Sequence, residues 1–390
     1  MIAHLFKLIW NKKRQNFLLI TEMFVSFMVV FAVFTLLVYN YKNYKEPMGI
    51  DYHDVWAINY TPPQNINRGD SVALFINSIK HLMRSMPEIK EVSFTSNNVP
   101  FSMNTFNSSI SYNNQHAMAN IYGAEDTYAK VLNMQMLEGR WFTNEDNAAK
   151  ILPAVINQKL KEELFGSTAA LGKELGMDNE KVRIIGVTAN VKSDGDYQDV
   201  EAGIYKRMDT GWLRWAGAML LKVQPGTGSA FESKLYKGLS NKIGTTIEIE
   251  YLEKKLLNKN KLMLIPTIIM FVVAGFLIIN VALGLFGVLW YNINKRKGEI
   301  GLRRAVGASG NDVSKQLVGE ALVLATLSLI IGSFFAIQFP LMNVFDLSSN
   351  TYMIAIALSI AFIYILVTIC ALYPGKQAAA IYPAVALHEE

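Results

Sequence analysis

The sequence is poor in the residues that build disulfides and metal sites. Its 390 residues include a single cysteine, Cys370, so no disulfide can form within the chain. The five histidines are scattered and form neither an HExxH pair nor a cluster with cysteine, which argues against a zinc enzyme. These histidines are His4, His53, His81, His116 and His388.

Charged residues are also scarce. They make up 18% of the chain, whereas soluble domains usually contain about 25%. Apolar residues make up 51%, which excludes a disordered chain. A chain of this composition has too little charge to cover its own surface with polar groups, so segments buried in a membrane are expected.

Four long apolar runs account for the shortage of charge. Each is long enough to cross a bilayer, which takes roughly 20 residues, and buried helices of soluble proteins rarely run so long without a polar face. The first run is longer than the apolar part of a signal peptide, and no small-residue cleavage site follows it. We therefore predict four transmembrane helices over residues 17–41, 262–291, 317–337 and 352–373.

Lysine and arginine beside these runs indicate the orientation, because both are enriched on cytoplasmic flanks. Residues 1–16 contain four of them and residues 292–316 contain six, whereas the loop 338–351 contains none. We expect both termini, including the tail 374–390, and the 292–316 segment to be cytoplasmic. Residues 42–261 lie outside, and their 26 basic and 25 acidic residues nearly cancel. The net charge of +5 therefore lies beside the membrane, where it suits a lipid bilayer or an acidic protein surface and not nucleic acid.

The N-terminal segment 1–16 has the pattern of an interfacial helix. Ile2, Leu5, Phe6 and Ile9 recur at helical spacing before a basic cluster, which is typical of a helix lying on the inner leaflet. The alternative is a simple extension of the first span.

The outer region 42–261 alternates strand and helix patterns, as in an α+β domain. The simplest arrangement has two lobes: residues 42–100 and 215–261 form a membrane-proximal lobe and stalk, and residues 101–214 form a distal lobe. Few helix breakers lie between Glu248 and Pro266, which predicts a helical stalk that continues into the second span; a frayed junction is the alternative. The predicted strands are 55–60, 91–95, 151–156, 181–187, 218–223 and 246–251, and the predicted helices are 71–86, 124–132, 158–165 and 229–243.

Three polar residues fall within the predicted spans, where polar groups are costly and are functional candidates. Glu22 lies near the cytoplasmic end of the first span, from which its carboxylate can reach the interface. Glu320 is placed similarly in the third span, within reach of Lys315 or Arg303. Asn280 lies near the middle of the second span, where a hydrogen bond across a dimer interface would be worth about 0.6–2 kcal/mol.

The segment after the second span carries a family resemblance. From Lys297 to Ser309 it reads KGEIGLRRAVGAS and resembles the loop of MacB/LolC/FtsX-type permeases that contains the coupling helix for a cytoplasmic ATPase. Residues 316–321 resemble the start of that family's third span. Residues 373–387 resemble its C-terminal pattern, although Lys376 and Gln377 stand where an aromatic residue and Arg are commoner.

The outer region extends the resemblance. Leu137-Glu138-Gly139-Arg140-Trp141-Phe142, followed by Asp146, is similar to a stretch found in MacB-like domains, and the similarity continues to residue 187. The resemblance implies a multi-pass α-helical membrane protein of the bacterial inner membrane, with a large two-lobed α+β periplasmic domain between transmembrane helices 1 and 2. The resemblance is to the type VII, or mechanotransmission, class of ABC permease, and we expect a permease without a fused ATPase.

The resemblance also implies the site and the partners. Ile300, Arg303, Arg304 and Val306 are expected to face the ATPase, and Gly307 with Gly310 to permit a turn before the third span. The implied partners are two copies of an ABC ATPase, a second permease copy in a homodimer or a related heterodimer, a periplasmic adaptor and an outer-membrane channel. The implied ATPase-coupling residues are Gly298, Glu299, Ile300, Gly301, Leu302, Arg303, Arg304, Ala305, Gly307 and Ala308.

No catalytic residue, metal ligand or cofactor is expected in this chain. Its nearest approach to a phosphate loop, Gly166 to Glu174, has five residues between the glycines and Glu174 where Ser or Thr must hold magnesium. We expect ATP and Mg²⁺ in the partner ATPase. MacB-like export of drugs, peptides or other substrates from the periplasm is the first expectation. A LolC-like lipoprotein-releasing permease and a non-transporting FtsX-like regulator of a cell-wall hydrolase are the alternatives.

Overall fold

The computed structural model describes residues 13–61, 69–177, 180–208 and 216–380. The chain forms two compact units, one within Met1–Lys42 and Leu264–Glu390 and the other within Asn43–Met263. Most of the predicted interfacial helix and the end of the C-terminal pattern lie outside the described residues.

The described elements alternate between the two units in chain order. The helices are α1 (Lys13–Lys45), α2 (Gly69–Arg84), α3 (Tyr128–Val131), α4 (Gln158–Phe165), α5 (Ser229–Ile243), α6 (Leu252–Lys295), α7 (Lys297–Ala305), α8 (Gly310–Leu341) and α9 (Ser349–Ala379). The strands are β1 (Val55–Tyr60), β2 (Ile89–Thr95), β3 (Asn107–Tyr112), β4 (Gln115–Ala124), β5 (Met136–Gly139), β6 (Leu152–Asn157), β7 (Glu174–Met177), β8 (Glu180–Thr188), β9 (Gly203–Arg207), β10 (Ala218–Val223) and β11 (Ile247–Tyr251).

Four of the helices are long and apolar enough to cross a membrane. They are α1, α6, α8 and α9, and each contains one of the predicted spans, which confirms the four-helix prediction. The helix α6 passes through Pro266 without a break. The stalk was expected to begin near Glu248, but α6 begins at Leu252 because residues 247–251 pair with β1.

In the membrane unit, α1 and α8 pack closely where phenylalanine rings of one helix meet small residues of the other. Phe27 and Phe31 of α1 are buried against α8 and α9. A Cβ atom at Gly332 of α8 would clash with the Phe27 ring, so glycine is what lets these two helices approach. Ser328 and Ala336, one turn to either side, are also fully buried.

The other unit is an α+β domain that lies in the chain between the first membrane helix and the later ones, as predicted. Part of it is an open antiparallel sheet in the order β11-β1-β10-β2. The amphipathic helices α2 and α5 share one buried core with the sheet, through residues such as Ile79 and Leu235 packed with Trp56 and Phe94. Apolar faces on both helices explain why these elements could be recognised from their spacing.

The remaining strands of the domain close on themselves. They follow the order β4-β3-β7-β8-β6-β9, and β9 pairs in parallel with β4, which completes a six-stranded ring. The helix α4 packs Leu160 and Leu164 into the ring core. One ladder pair, Thr95 with Ala124, joins the ring to the open sheet.

Two details of this domain differ from the sequence-based expectation. The helix predicted over 124–132 is reduced to one turn, α3, because Ala124 is the last residue of β4. The strands β3, β4, β5, β7 and β9 were not predicted. Three of them, β5, β7 and β9, are only four or five residues long, too short to show a clear alternation of apolar and polar residues.

Candidate functional site

The short helix α7 lies between the second and third membrane helices and carries most of the predicted coupling residues. It ends at Ala305, and Gly307 then takes a φ of +107°, a left-handed conformation that suits glycine. Ser309 caps α8: its hydroxyl accepts a hydrogen bond from the Asp312 amide at 3.2 Å, and the Asp312 carboxylate accepts one from the Ser309 amide at 3.2 Å. Hydrogen bonds from Ser309 lower the pKa of the Asp312 carboxyl group. The turn expected at Gly307 is therefore present.

One face of α7 is fixed to its own chain. Ile300 is buried with Ile293, Val313, Leu317 and Ala378 in a small apolar cluster, and Gly301 is buried beside it. One turn further along, Arg304 donates to the carbonyl oxygen of Ala379 in α9. Ile300 therefore packs within its own chain instead of facing outward as expected, and the half-buried Arg304 contacts α9 on the same side of the helix. Their spacing of four places them on the same inward face of the helix.

A closed ring of five polar side chains fixes a second edge of α7. Arg296 contacts Glu320 of α8 at 3.1 Å, and Glu320 accepts a hydrogen bond from Gln316 at 3.1 Å. Arg303 donates to Gln316 at 2.8 Å and contacts Glu299 at 2.5 Å, and Glu299 returns to Arg296 at 3.0 Å. The sequence indicates Arg296 only as one of the positive charges beside the membrane. Glu320 pairs with Arg296, whereas the expected partners were Lys315 or Arg303.

The opposite face of α7 is open. Leu302 is 56% exposed and Val306 is 83% exposed, and Gly298 and Ala305 are exposed beside them. Ala308 is half-buried at the end of the turn. The ten predicted residues thus divide into an inner set that positions the helix, an outer apolar set, and the pair Glu299 and Arg303 at the edge between them.

The two other polar residues within the spans make local contacts. The Glu22 carboxylate lies against α6, where a Cβ atom at Gly284 would be 2.6 Å from its Oε1 atom. The expectation was that this carboxylate extends toward the membrane interface. The Asn280 amide donates to the Phe276 carbonyl oxygen of its own helix at 2.8 Å. The Asn280 side chain is exposed.

The membrane part of α6 presents an exposed apolar seam. Most of its surface is exposed, and six of the exposed apolar residues recur at alternating intervals of four and three, a heptad pattern typical of a helix that packs along another helix. The residues of this seam are Ile265, Ile269, Val272, Phe276, Ile279 and Leu283. The pattern is visible in the sequence once the exposed face of the helix is known.

A loop of the α+β domain holds the ends of both helices that enter it. Lys192, in the segment between β8 and β9, is buried and donates to the carbonyl oxygens of Asn43 at the end of α1 and of Asp196. Burial lowers the pKa of the Lys192 ammonium group. Asp196 accepts a hydrogen bond from Asn260 of α6 at 2.6 Å, and Lys259 of α6 forms an ion pair at 2.9 Å with Asp194 of the same loop. The loop therefore ties α1 to the start of α6.

Comparison with known proteins defines the family. The family model of the MacB-like periplasmic core domain matches residues 17–253. The chain belongs to the MacB-like permease family. The model of the FtsX-like permease C-terminal domain matches residues 271–383, so MacB-like and FtsX-like parts follow one another as the resemblance implied. Members of this family are permeases of ABC transporters.

Individual relatives of the MacB-like family are distant. The macrolide export ATP-binding/permease protein MacB of Sodalis glossinidius is 24% identical over 72% of this chain and 45% of its own length. The uncharacterized ABC transporter permease YknZ of Bacillus subtilis is 24% identical over 57% of each chain. The chain spans about half the length of the curated relatives it matches. The solved periplasmic region of MacB from Actinobacillus actinomycetemcomitans aligns with 55% of this chain and 95% of that chain, at 17% identity and a TM-score of 0.39.

Among the residues that the structure describes, no group of three His, Cys, Asp or Glu side chains is placed to hold a metal ion. The outer face of α7 has an apolar centre beside a charged edge, and the helix is attached to α6, α8 and α9.

Proposed function

We propose that this chain is the permease subunit of an ABC transporter and that a separate cytoplasmic ATPase docks on the outer face of α7. The observation that carries the proposal is the exposure of Leu302 and Val306 on a helix whose inner face is fixed to its own chain. Apolar residues at the centre and charged residues at the rim are typical of protein interfaces. Because α7 is attached to α6, α8 and α9, a force applied to α7 would reach all three helices.

The proposed output of that force is movement of the α+β domain. Both α1 and α6 continue from one unit into the other as unbroken helices. The loop that contains Lys192 and Asp196 contacts the end of α1 and the start of α6. A relative displacement of these two helices would therefore strain this loop, which leads directly into the strand ring through β8 and β9. In this proposal the ATPase binds ATP and Mg²⁺ on the cytoplasmic side of the membrane. Both chain termini lie on that side as well.

The proposal includes a second copy of the permease. The seam on α6 supports it, because an exposed heptad seam is self-complementary across a two-fold axis. Asn280, next to Ile279 of the seam, uses one amide hydrogen within its own helix and has another to donate to the partner helix.

We further propose that the complex exports drugs, peptides or other substrates from the periplasm, together with an adaptor and an outer-membrane channel. The support is the MacB-like match, which extends over most of the outer domain, and the printed function of the MacB relative. Affinity purification of the complex tests this part: an adaptor or channel in the purified complex supports export, whereas a cell-wall hydrolase contradicts it.

The docking site is tested by replacing both exposed apolar residues with acids, Leu302→Glu with Val306→Glu. Binding of the co-expressed ATPase should weaken about 30-fold, the effect of losing an interface contribution of roughly 2 kcal/mol. Met342→Glu is the matched control, since Met342 is 73% exposed and follows the opposite end of α8. Gly301 is unsuitable for this purpose because it is buried. Unchanged ATPase binding by the double variant would refute docking on this face.

A further inference from the structure

The membrane unit contains a cavity that the proposed transport mechanism does not use. It has a volume of about 440 Å³ and lies between α1, α8, α9 and the short loop that joins α8 to α9. Its walls include Phe31, Leu36, Tyr39, Phe339, Phe345 and Tyr352. The volume falls within the usual range of ligand pockets.

The chemistry of the walls selects an apolar ligand. The hydroxyl of Thr35 donates to the Phe31 carbonyl oxygen of its own helix at 2.8 Å, and the hydroxyl of Tyr352 donates to the Val344 carbonyl oxygen. Both hydroxyl hydrogens are therefore used by the backbone and are not offered to a ligand. A polar molecule entering this part of the cavity would lose hydrogen bonds to water without replacement, which is costly.

The length of the cavity matches one leaflet of a bilayer. On α1 its lining runs from Met28 to Tyr39, a rise of roughly 16 Å at 1.5 Å per residue. Half of a hydrocarbon core of about 30 Å is nearly the same distance. Tyr39 and Tyr352 lie at the end of the cavity where α1 leaves its span and α9 begins, the level at which tyrosines are enriched at a membrane surface.

The loop at this end is strained. Asn343, Phe345 and Asp346 all have positive φ values, of 49°, 61° and 51°. Asn and Asp adopt such conformations readily, but they are unfavourable for a residue as bulky as Phe345, and strained backbone of this kind is found at ligand clamps. The strained backbone presents Phe345 to the cavity while its side chain remains 77% exposed, and Tyr352 secures the loop through Val344.

We propose that this cavity binds one acyl chain of a bilayer phospholipid, taken from the leaflet at the Lys45 end of α1. The chain lies along α1 from Tyr39 to Met28 and packs against Phe339, and Phe345 covers it at the leaflet surface. The ligand is a phospholipid because the cavity lies among membrane-spanning segments, where such chains are the surrounding solvent. Its occupancy would support α1 against α8 and α9.

Photolabelling of the full chain tests the site. The protein is placed in nanodiscs of phosphatidylethanolamine and phosphatidylglycerol that contain traces of phosphatidylethanolamine with a diazirine on its acyl chain, and adducts are mapped by mass spectrometry. We expect labelling of Phe339 to exceed labelling of Phe334, a 64% exposed phenylalanine of the same helix that does not line the cavity. Ala32→Trp, which fills the cavity, should reduce the Phe339 label about tenfold, the effect of losing about 1.4 kcal/mol of binding.

Two further variants make the result decisive. Ala361→Trp places the same side chain on an exposed position of α9 that does not line the cavity, and it should leave the Phe339 label unchanged. Phe345→Ala alters only an exposed loop side chain, so folding is preserved, and it should also reduce the label because the cover is lost. Equal labelling of Phe339 and Phe334, or a Phe339 label unaffected by both Ala32→Trp and Phe345→Ala, would overturn the proposal. Crosslinking of position 32 to a second copy of the chain in place of lipid would overturn it as well.

Discussion

The ion pair between Arg296 and Glu320 should be a measurable part of what holds α7 in place. A double-mutant cycle isolates it: Arg296→Ala, Glu320→Ala and the combination are compared with the parent chain. Arg296 also contacts Glu299, and Glu320 also contacts Gln316, so each single change removes more than the pair. The cycle cancels these additional losses.

The size of the effect follows from distance and burial. The closest atoms of the pair are 3.1 Å apart, and the two side chains are only 16% and 21% exposed. Fully exposed pairs contribute about 0.2–1 kcal/mol, whereas contacting residues in a shared network couple by about 0.5–3 kcal/mol. We expect a coupling of about 1–2 kcal/mol, which should appear as a non-additivity of about 2–8 °C in the unfolding midpoint.

The single cysteine supplies the assay. Cys370 lies half-buried in α9, so a thiol-reactive fluorophore reports unfolding of the membrane unit in the intact, detergent-solubilised chain. Arg183 and Glu174 provide the control cycle: they are 2.9 Å apart but 49% and 38% exposed in the other unit, and they should show no coupling in this assay. A coupling between Arg296 and Glu320 no larger than that of the control would refute the role assigned to the polar ring.

Two other predictions concern buried positions in each unit. Burial raises the pKa of the Glu125 carboxyl group, although Lys80 contacts it at 2.7 Å. Protonation of Glu125 therefore favours the folded chain. This stabilisation is complete below about pH 4.3, the usual value of an unfolded glutamate, and is lost as the pH rises through the raised native pKa. The denaturant stability of Glu125→Gln relative to the parent chain should therefore increase over that interval; a difference independent of pH would contradict this. In the membrane unit, Gly332→Ala should destabilise the chain by about 1–3 kcal/mol because the new methyl group meets Phe27. The control is Gly275→Ala, whose methyl group meets no atom within 4 Å and which should not lower the unfolding midpoint reported by Cys370. Equal midpoints for both variants would show that the close approach of the helices does not require glycine at position 332.

Much of the fold could be predicted because local patterns and tertiary packing agree. The strands Val55–Tyr60 and Ala218–Val223 have the bounds expected from their apolar composition, and the four spans are identified by length alone. Strand β9 was not predicted because its five residues, all buried, have no alternation. Its position depends on pairing with β4 and β6, which are distant in the chain.

In the candidate site, too, local features could be predicted from the sequence and tertiary contacts could not. The family motif located α7, and the glycine at 307 correctly predicted the turn. Which residues of α7 face outward could not be predicted, because Ile300 and Arg304 are held by residues of α8 and α9. Within the polar ring, the contact of Arg296 with Glu299 has the helical spacing that a sequence reveals. Its contact with Glu320 depends on how two helices meet.

The closed strand ring of the α+β domain limits how partners can bind it. A strand at the edge of a sheet can accept a strand from another protein, but each strand of a closed ring already pairs on both sides. A partner of the ring must therefore recognise side chains and loops. Among the described strands, β11 is an edge of the open sheet at which strand addition is possible, and it leads directly into α6. A peptide added at that edge would lie next to the helix that continues into the membrane, so binding there and movement of α6 would be directly linked.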